Sequence, residues 1–343
     1  MLRTFERSFN LLEILRDSKQ NIMISPLSIN MALKIIMNGL CDEAREELES
    51  YFGLPLEVIN KTEIDRIQQY DDSISLANSF WVKQDNNLVI NNIFKSILDK
   101  YNAEIGTIDG NPEPINAWVS NKTHGRITHI IDELDRDTLM ILVNAIYFKG
   151  KWKSSFNEDK TYKGKFSAPD GNIECSMMVG EAESYFENEQ AIGFAKYYDN
   201  GYRFLSILPK DNSKLSLNEF NFDRFLLSEN WGCNVKVIMP RFKSDYSISL
   251  ADKLSDIGLE KVFKTNAVSK AVSEPGTISE ILNKTEIEVS ESGTIASATT
   301  MVGMVRGCSL RVPKLVRLDK PFIYIIQDKN GNIVFMGELN KPN

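Results

Sequence analysis

Residues 286–323 constrain this chain more than any other stretch. They read Glu-Ile-Glu-Val-Ser-Glu-Ser-Gly-Thr-Ile-Ala-Ser-Ala-Thr-Thr, then Met-Val-Gly-Met-Val-Arg-Gly-Cys-Ser-Leu, then a Val/Leu-rich stretch ending in Lys320-Pro321-Phe322. Thr294, Ala296, Ala298 and Thr300 alternate along one face, the period-two pattern of a strand. Yet the stretch lies between Gly293 and Gly303 and is too polar for a core strand as it stands. A segment that can be either an exposed loop or a central strand points to a protein that works by moving it.

The rest of the chain is that of an ordinary globular protein. It has 343 residues, 42% hydrophobic and 25% charged, with a net charge of −7. Lys and Arg are scattered singly among acids, which argues against a nucleic-acid partner. No run reaches the length of a membrane span. The start, Met1-Leu-Arg-Thr-Phe-Glu-Arg-Ser-Phe, lacks the apolar stretch of a secretory signal. Leu2, Phe5, Phe9 and Leu12 instead fall on one face of an expected first helix. A cytoplasmic location is therefore expected, in the host cytosol if the protein is viral, with release lacking a signal peptide still open. Cys41, Cys175, Cys233 and Cys308 are far apart, form no CxxC pair and are read as reduced thiols, so no metal site or disulfide framework is expected.

Helices are expected first and strands later. Residues 21–24 read as a strand, and Ser25-Pro26-Leu27-Ser28 opens a helix that stops at Gly39. Further helices are expected at 42–52, 93–101, 112–121 and 250–259, the third of these with an apolar stripe of Ile115, Trp118 and Val119. Strands are expected at 77–82, 139–148, 202–208, 234–239, 287–289, 321–326 and 333–336, the last two joined by an Asn330-Gly331 type I′ turn. This order suggests α+β rather than alternating βαβ. No linker or repeat interrupts it, so one domain over residues 1–343 is expected.

Catalytic motifs are missing. The two histidines, His124 and His129, lie five residues apart near an expected helix end. There is no G-x-S-x-G, H-E-x-x-H, Walker or dinucleotide motif. The chain reads as something that acts on an enzyme rather than as one, with no cofactor.

Several stretches together resemble the serpin family. They are Asn21-Ile-Met-Ile-Ser-Pro-Leu-Ser-Ile29, Asn116-Ala-Trp-Val-Ser-Asn-Lys-Thr-His-Gly-Arg-Ile127, Asn144-Ala-Ile-Tyr-Phe-Lys-Gly-Lys-Trp152 followed by Phe156, Met239-Pro-Arg-Phe-Lys243, residues 254–263, the hinge at 286–300 and Lys320-Pro-Phe322. Seven motifs in family order span nearly the whole chain. The segment 56–73 is expected to be too short for the family's usual fourth helix, and this compactness resembles the leaderless poxvirus serpins. The resemblance implies an α+β serpin fold, a helical N-terminal part with three β-sheets, a large central sheet A and an exposed reactive-centre loop at about 291–314. It also implies a metastable, monomeric inhibitor whose partner is a serine protease, with no nucleic acid and no membrane involved.

Specific residues carry that implication. Asn144 interrupts an apolar strand, where an unpaired amide costs about 1–3 kcal/mol. Ser25 and Ser28 are its expected partners, and Asn283 stands where the family has a histidine, completing what the family calls the shutter. Trp152 is expected at the breach, the top of sheet A where the loop enters. In the family, cleavage of the loop lets its N-terminal part insert into sheet A and drag the acylated protease along. Residues turned inward must then be small and uncharged. Thr294, Ala296, Ala298, Thr300 and Val302 comply, as do the intervening Ser297 and Thr299; Glu291 and Gly293 match the family hinge, while Ile295 departs from the usual glutamate. Counting from Gly293 by the commonest loop length puts the cut between Gly307 and Cys308; a loop one residue shorter puts it at Arg306–Gly307, and Arg311 is a further option. Arg306 offers a protease the better anchor, which suggests an arginine-cutting, trypsin-like target. The alternative is a non-inhibitory serpin-fold binding protein or decoy.

Overall fold

A helix stops where its last carbonyls find other donors, and Asp42–Phe52 shows this directly. Gly53 follows it at φ 68°, and its amide closes on the Glu49 carbonyl at 2.7 Å, while Asp42 and Glu43 sit in the first turn against the positive end of the helix. Asn91 starts Asn92–Lys100 by accepting from the Ile93 amide. The computed structural model describes residues 2–17, 19–67, 73–84, 88–135, 138–211, 214–274, 276, 278–294 and 313–342.

By contact the chain divides into two compact units. One comprises Met1–Leu27, Phe148–Tyr246 and Glu286–Asn343, the other Ser28–Tyr147 and Ser247–Thr285. The first unit holds a nine-stranded sheet in the order Ile22–Ile24, Ile333–Leu339, Phe322–Gln327, Arg203–Pro209, Ala191–Tyr197, Gly171–Glu187, Asn230–Pro240, Lys314–Arg317, with Tyr162–Ala168 also paired to Gly171–Glu187. Every pairing is antiparallel except that of Asn230–Pro240 with Lys314–Arg317. The 17-residue strand Gly171–Glu187 pairs with three neighbours, Tyr162–Ala168, Ala191–Tyr197 and Asn230–Pro240, and so joins the two ends of this sheet. Phe322–Gln327 and Ile333–Leu339 are buried at every position, which places them in the core, covered on both faces.

In the second unit Ala103–Ile108, Ile74–Lys83, Met140–Phe148 and Glu280–Ser290 lie side by side in that order. Helix Glu113–Lys122 covers them. Its Ile115 and Val119 pack with Trp81, Ile108, Ile141, Val143, Ala145 and Leu282, while Trp118 stays at the edge and donates to Glu104. Burial of each large aliphatic side chain here is worth about 1.5–3 kcal/mol. Asn116 fastens the segment after the helix, donating to the Ile131 carbonyl and accepting from the Ile130 amide.

Three expectations change. The 56–73 segment holds a twelve-residue helix, Leu56–Ile67, rather than a shortened remnant. Only Ile59 and Glu63 of it are buried, so no apolar stripe announced it. The helix expected at 250–259 is only Ala251–Asp256, ending before Gly258 at φ 86°. The turn after Gln327 is not type I′, because Gly331 has positive φ and Asn330 does not. The Asp328 carboxylate instead gathers the amides of Asn330 and Asn332 and stabilises a longer loop.

Candidate functional site

In the first unit the long strand ends at the hinge predicted from the sequence. Glu280–Ser290 reverses at Glu291 and Ser292 and returns as the two-residue strand Gly293–Thr294. Thr294 pairs with Val289 and Gly293 with Ser290; on the other side Gly293 pairs with Lys151 and Thr294 with Gly150. The hinge residues thus occupy a rung between two strands. Gly293 is needed there: at φ 147° a Cβ would stand 2.2 Å from the Gly150 carbonyl oxygen.

Aromatic side chains close the site beneath the hinge. Trp152 donates its indole N–H to the Ser290 carbonyl at 2.8 Å and its backbone N–H to Ser292 at 3.0 Å. Its ring stacks on Tyr198, centroids 4.2 Å apart at 14°, with Phe156 edge-on at 6.0 Å. The Tyr198 hydroxyl lies 2.7 Å from that of Thr294, both residues buried. Burial pushes the Tyr198 phenol upward, so it stays protonated and able to donate.

Two charged groups complete this end. Burial raises the Glu291 carboxyl, but hydrogen bonds from Arg241 and Thr161 outweigh it and hold the group below the usual carboxylate range. Arg241 reaches both Glu291 oxygens at 2.7 Å, and the Glu291 carbonyl accepts from the Phe156 amide. Lys196, fully buried, donates to the Glu181 carbonyl at 2.7 Å and lies 4.7 Å from the Phe156 ring centroid and 5.7 Å from that of Trp152. Burial lowers its amine to about 8.

The polar network sits in the second unit. Asn144 donates to the Asn78 side-chain oxygen, and Asn283 donates to Asn144 at 2.9 Å and to the Ser28 hydroxyl at 3.1 Å. All four are buried, and the Asn283 side-chain oxygen has no hydrogen-bond partner among the described residues. Met140–Phe148 and Glu280–Ser290, which carry Asn144 and Asn283, are direct neighbours in the sheet.

The structure therefore brings together Ser28, Asn144 and Asn283 as expected, and Trp152, Glu291, Gly293 and Thr294 likewise. Ser25 is the correction: it lies in the other unit and gives its hydroxyl to the Val334 carbonyl at 2.6 Å. Its place belongs to Asn78, which the sequence signalled as a polar residue within a strand-like run, the same signal read at Asn144. Tyr198, Arg241 and Thr161 were missed as site residues, since only the fold brings them to the hinge. Ala296, Ser297, Ala298, Thr299, Thr300, Arg306, Gly307 and Cys308 lie outside the described residues. His124 and His129 are exposed, and His129 pairs with Asp132 at 2.8 Å.

Comparison with known proteins gives one answer. The family model described as "Serpin (serine protease inhibitor)" matches residues 5–342. A serpin-like protein of Methanosarcina mazei is 29% identical across 94% of this chain and 82% of its own length. Antithrombin-III of Homo sapiens is 30% identical across 96% of this chain and 78% of its own. Other relatives at similar identity come from a tick and a plant. Tengpin, a thermophilic serpin whose crystal structure was solved in the native state, matches with a TM-score of 0.91 at 29% identity, over 99% of this chain and 93% of tengpin. With the α+β fold, the hinge and a family match over nearly its whole length, the chain belongs to the serpin family, whose members are in general protease inhibitors rather than enzymes.

Proposed function

We propose that the protein is a suicide-substrate inhibitor of serine proteases, cut at Arg306–Gly307 by an arginine-cutting, trypsin-like enzyme. The supporting observation is the geometry of the hinge. Gly293 and Thr294 are already strand-paired on both sides, while Met140–Phe148 and Glu280–Ser290 are immediate neighbours with no strand between them. A further strand continuing from Thr294 has its first rung in place and its slot closed. Once the loop is cut, residues 294–302 are free to enter that slot by strand addition within the chain. Their inward side chains are small and uncharged, so their burial carries no desolvation penalty of an ion. The acyl-enzyme ester on Arg306 travels with the inserting strand, and the attached protease is displaced before water can release it.

The Asn78, Asn144, Asn283 and Ser28 network is the clasp holding the two strands until that moment. Asn283 supplies its hydrogen bonds without a ring that titrates near neutrality, so the clasp works independently of pH in that range. The viral narrowing gains nothing from relatives drawn from archaea, plants, ticks and mammals. The test is incubation with a panel of arginine-cutting serine proteases. A denaturant-resistant covalent band and a C-terminal fragment beginning at Gly307 are expected; a fragment beginning at Cys308 moves the bond, and simple turnover with no band overturns the reading.

A further inference from the structure

We propose that Trp231 is a second contact point for the attacking protease, an anchor outside the bait that helps decide which enzyme the protein takes. The inference rests on the inhibitor reading above and names a specificity residue for it. Leu227 and Trp231, 86% and 54% exposed, lie four residues apart where helix Phe222–Leu227 passes into strand Asn230–Pro240. Single exposed apolar side chains are ordinary on a protein surface. What distinguishes Trp231 is where it stands and how firmly it is held.

Its place follows from the strand register. Asn230–Pro240 runs parallel to Lys314–Arg317 with Val235 opposite Lys314, so residues 230–234 project past the point where the chain re-enters the sheet after the bait. The Lys314 ammonium leans to the same end: it lies 4.8 Å from the Tyr185 ring centroid and 3.5 Å from a Glu187 oxygen. Tyr185 pairs with Asn230, and Ser184 with Trp231. Only residues 307–313 separate Arg306 from Lys314, a reach of at most about 25 Å. A standard protease–inhibitor contact covers about 800 Å² of each partner, a patch roughly 30 Å across. An enzyme seated on the Arg306 bond is therefore brought within reach of Trp231.

The ring also stands on a fixed base. The strand bulges between Trp231 and Val235, with Gly232 in the left-handed region at φ 74°. The Trp231 ring leans on that of Tyr197, centroids 5.7 Å apart at 39°. Arg203 lies against the Tyr197 hydroxyl at 3.5 Å and pairs with Glu229 at 3.3 Å, and Glu229 accepts from the Ser184 hydroxyl at 2.7 Å. A braced aromatic side chain has little rotamer freedom left to lose on binding. Tryptophan is also among the residue types most enriched where binding energy concentrates.

Two variants and two readouts test this, with trypsin as the probe. Trp231→Ala removes the ring, whereas Trp231→Phe keeps a smaller one and disturbs the packing on Tyr197 least. The first readout is equilibrium binding to trypsin whose nucleophilic serine is replaced by alanine. The second is the rate at which active trypsin releases the C-terminal fragment beginning at Gly307. Trp231→Ala is expected to bind roughly tenfold more weakly and to be cut roughly tenfold more slowly than wild type, with Trp231→Phe between them. Thermal midpoints of all three are expected to agree; should the alanine variant melt early, the phenylalanine variant alone carries the comparison. Equal affinity and equal cleavage rates between wild type and a variant with the wild-type midpoint overturn the proposal. Neither readout needs a covalent complex, so failure of the inhibitor reading alone looks different: the same ordered losses, with no denaturant-resistant band from any of the proteins.

Discussion

Lys196 is a positive charge sealed beneath Trp152 and Phe156, and it sets the pH behaviour of this end of the sheet. Below about pH 8 its amine is charged in the folded and the unfolded chain alike, and the folded state carries the full penalty of burying it. Between about 8 and the ordinary lysine value of 10.5 the unfolded amine still binds a proton that the folded one has lost, so stability from this group rises with pH. The shift corresponds to a penalty on the order of 3 kcal/mol at neutral pH, partly offset by the two aromatic faces. Lys196→Met is therefore expected to raise the unfolding free energy at pH 7, and the gain over wild type should shrink as pH rises from 8 to 10.5. Denaturant titrations at four pH values check this; a gain independent of pH contradicts it. In the other unit, Asn144→Ala strips partners from both Asn78 and Asn283. A loss of about 2–4 kcal/mol is expected, seen as a lower urea midpoint at unchanged slope. Asn144 was legible because a lone amide in an apolar run must be satisfied. Ser25 misled for the opposite reason: adjacency to Ser28 suggested a shared role, but the helix Pro26–Met37 begins between them and turns the two hydroxyls to different partners.

At the scale of elements, the hinge segment behaves according to what each position must bury. On the proposed reading, inward positions tolerate only small neutral side chains, so Ala298→Arg would place a charge on the face proposed to enter the sheet. That variant is expected to be cleaved at the wild-type bond yet to release the protease, turning inhibitor into substrate. Gel analysis of the reaction mixture reads this as loss of the covalent band with the fragment intact; a full-strength band shows that Ala298 is never buried. Elements with strong local signals were read almost to their limits. Asp42–Phe52 is bounded by acidic first-turn residues and by Gly53 in the left-handed region. Met140–Phe148 is an apolar run of strand length, buried at eight of nine positions. What escaped were elements whose pattern their neighbours determine. Tyr162–Ala168 buries only Phe166, and Phe242–Ser249 carries serine at three of its eight positions, one of them buried. Leu56–Ile67 buries only Ile59 and Glu63, the latter paired with Lys34, so its buried face carries no apolar stripe. Such segments acquire their form from the sheet edge or helix they meet, and no local rule encodes it.

At the scale of the whole molecule, the proposed reading is of a fold with one more strand available to it than it uses. On that reading the polar network of Asn78, Asn144, Asn283 and Ser28 would hold the shorter arrangement. On the proposed reading, a single cut in the loop would remove the tether and let the larger sheet form, releasing stored strain. Entry of residues 294–302 supplies two new rows of backbone hydrogen bonds, on the order of ten at about 1 kcal/mol each. In a chain of this size each kcal/mol is worth roughly 2 °C in melting temperature. The most direct measurement is therefore the thermal midpoint of the protein before and after one cleavage in residues 303–312. A rise of roughly 20 °C is the result expected of a strand that enters the sheet; an unchanged midpoint in the nicked protein contradicts it.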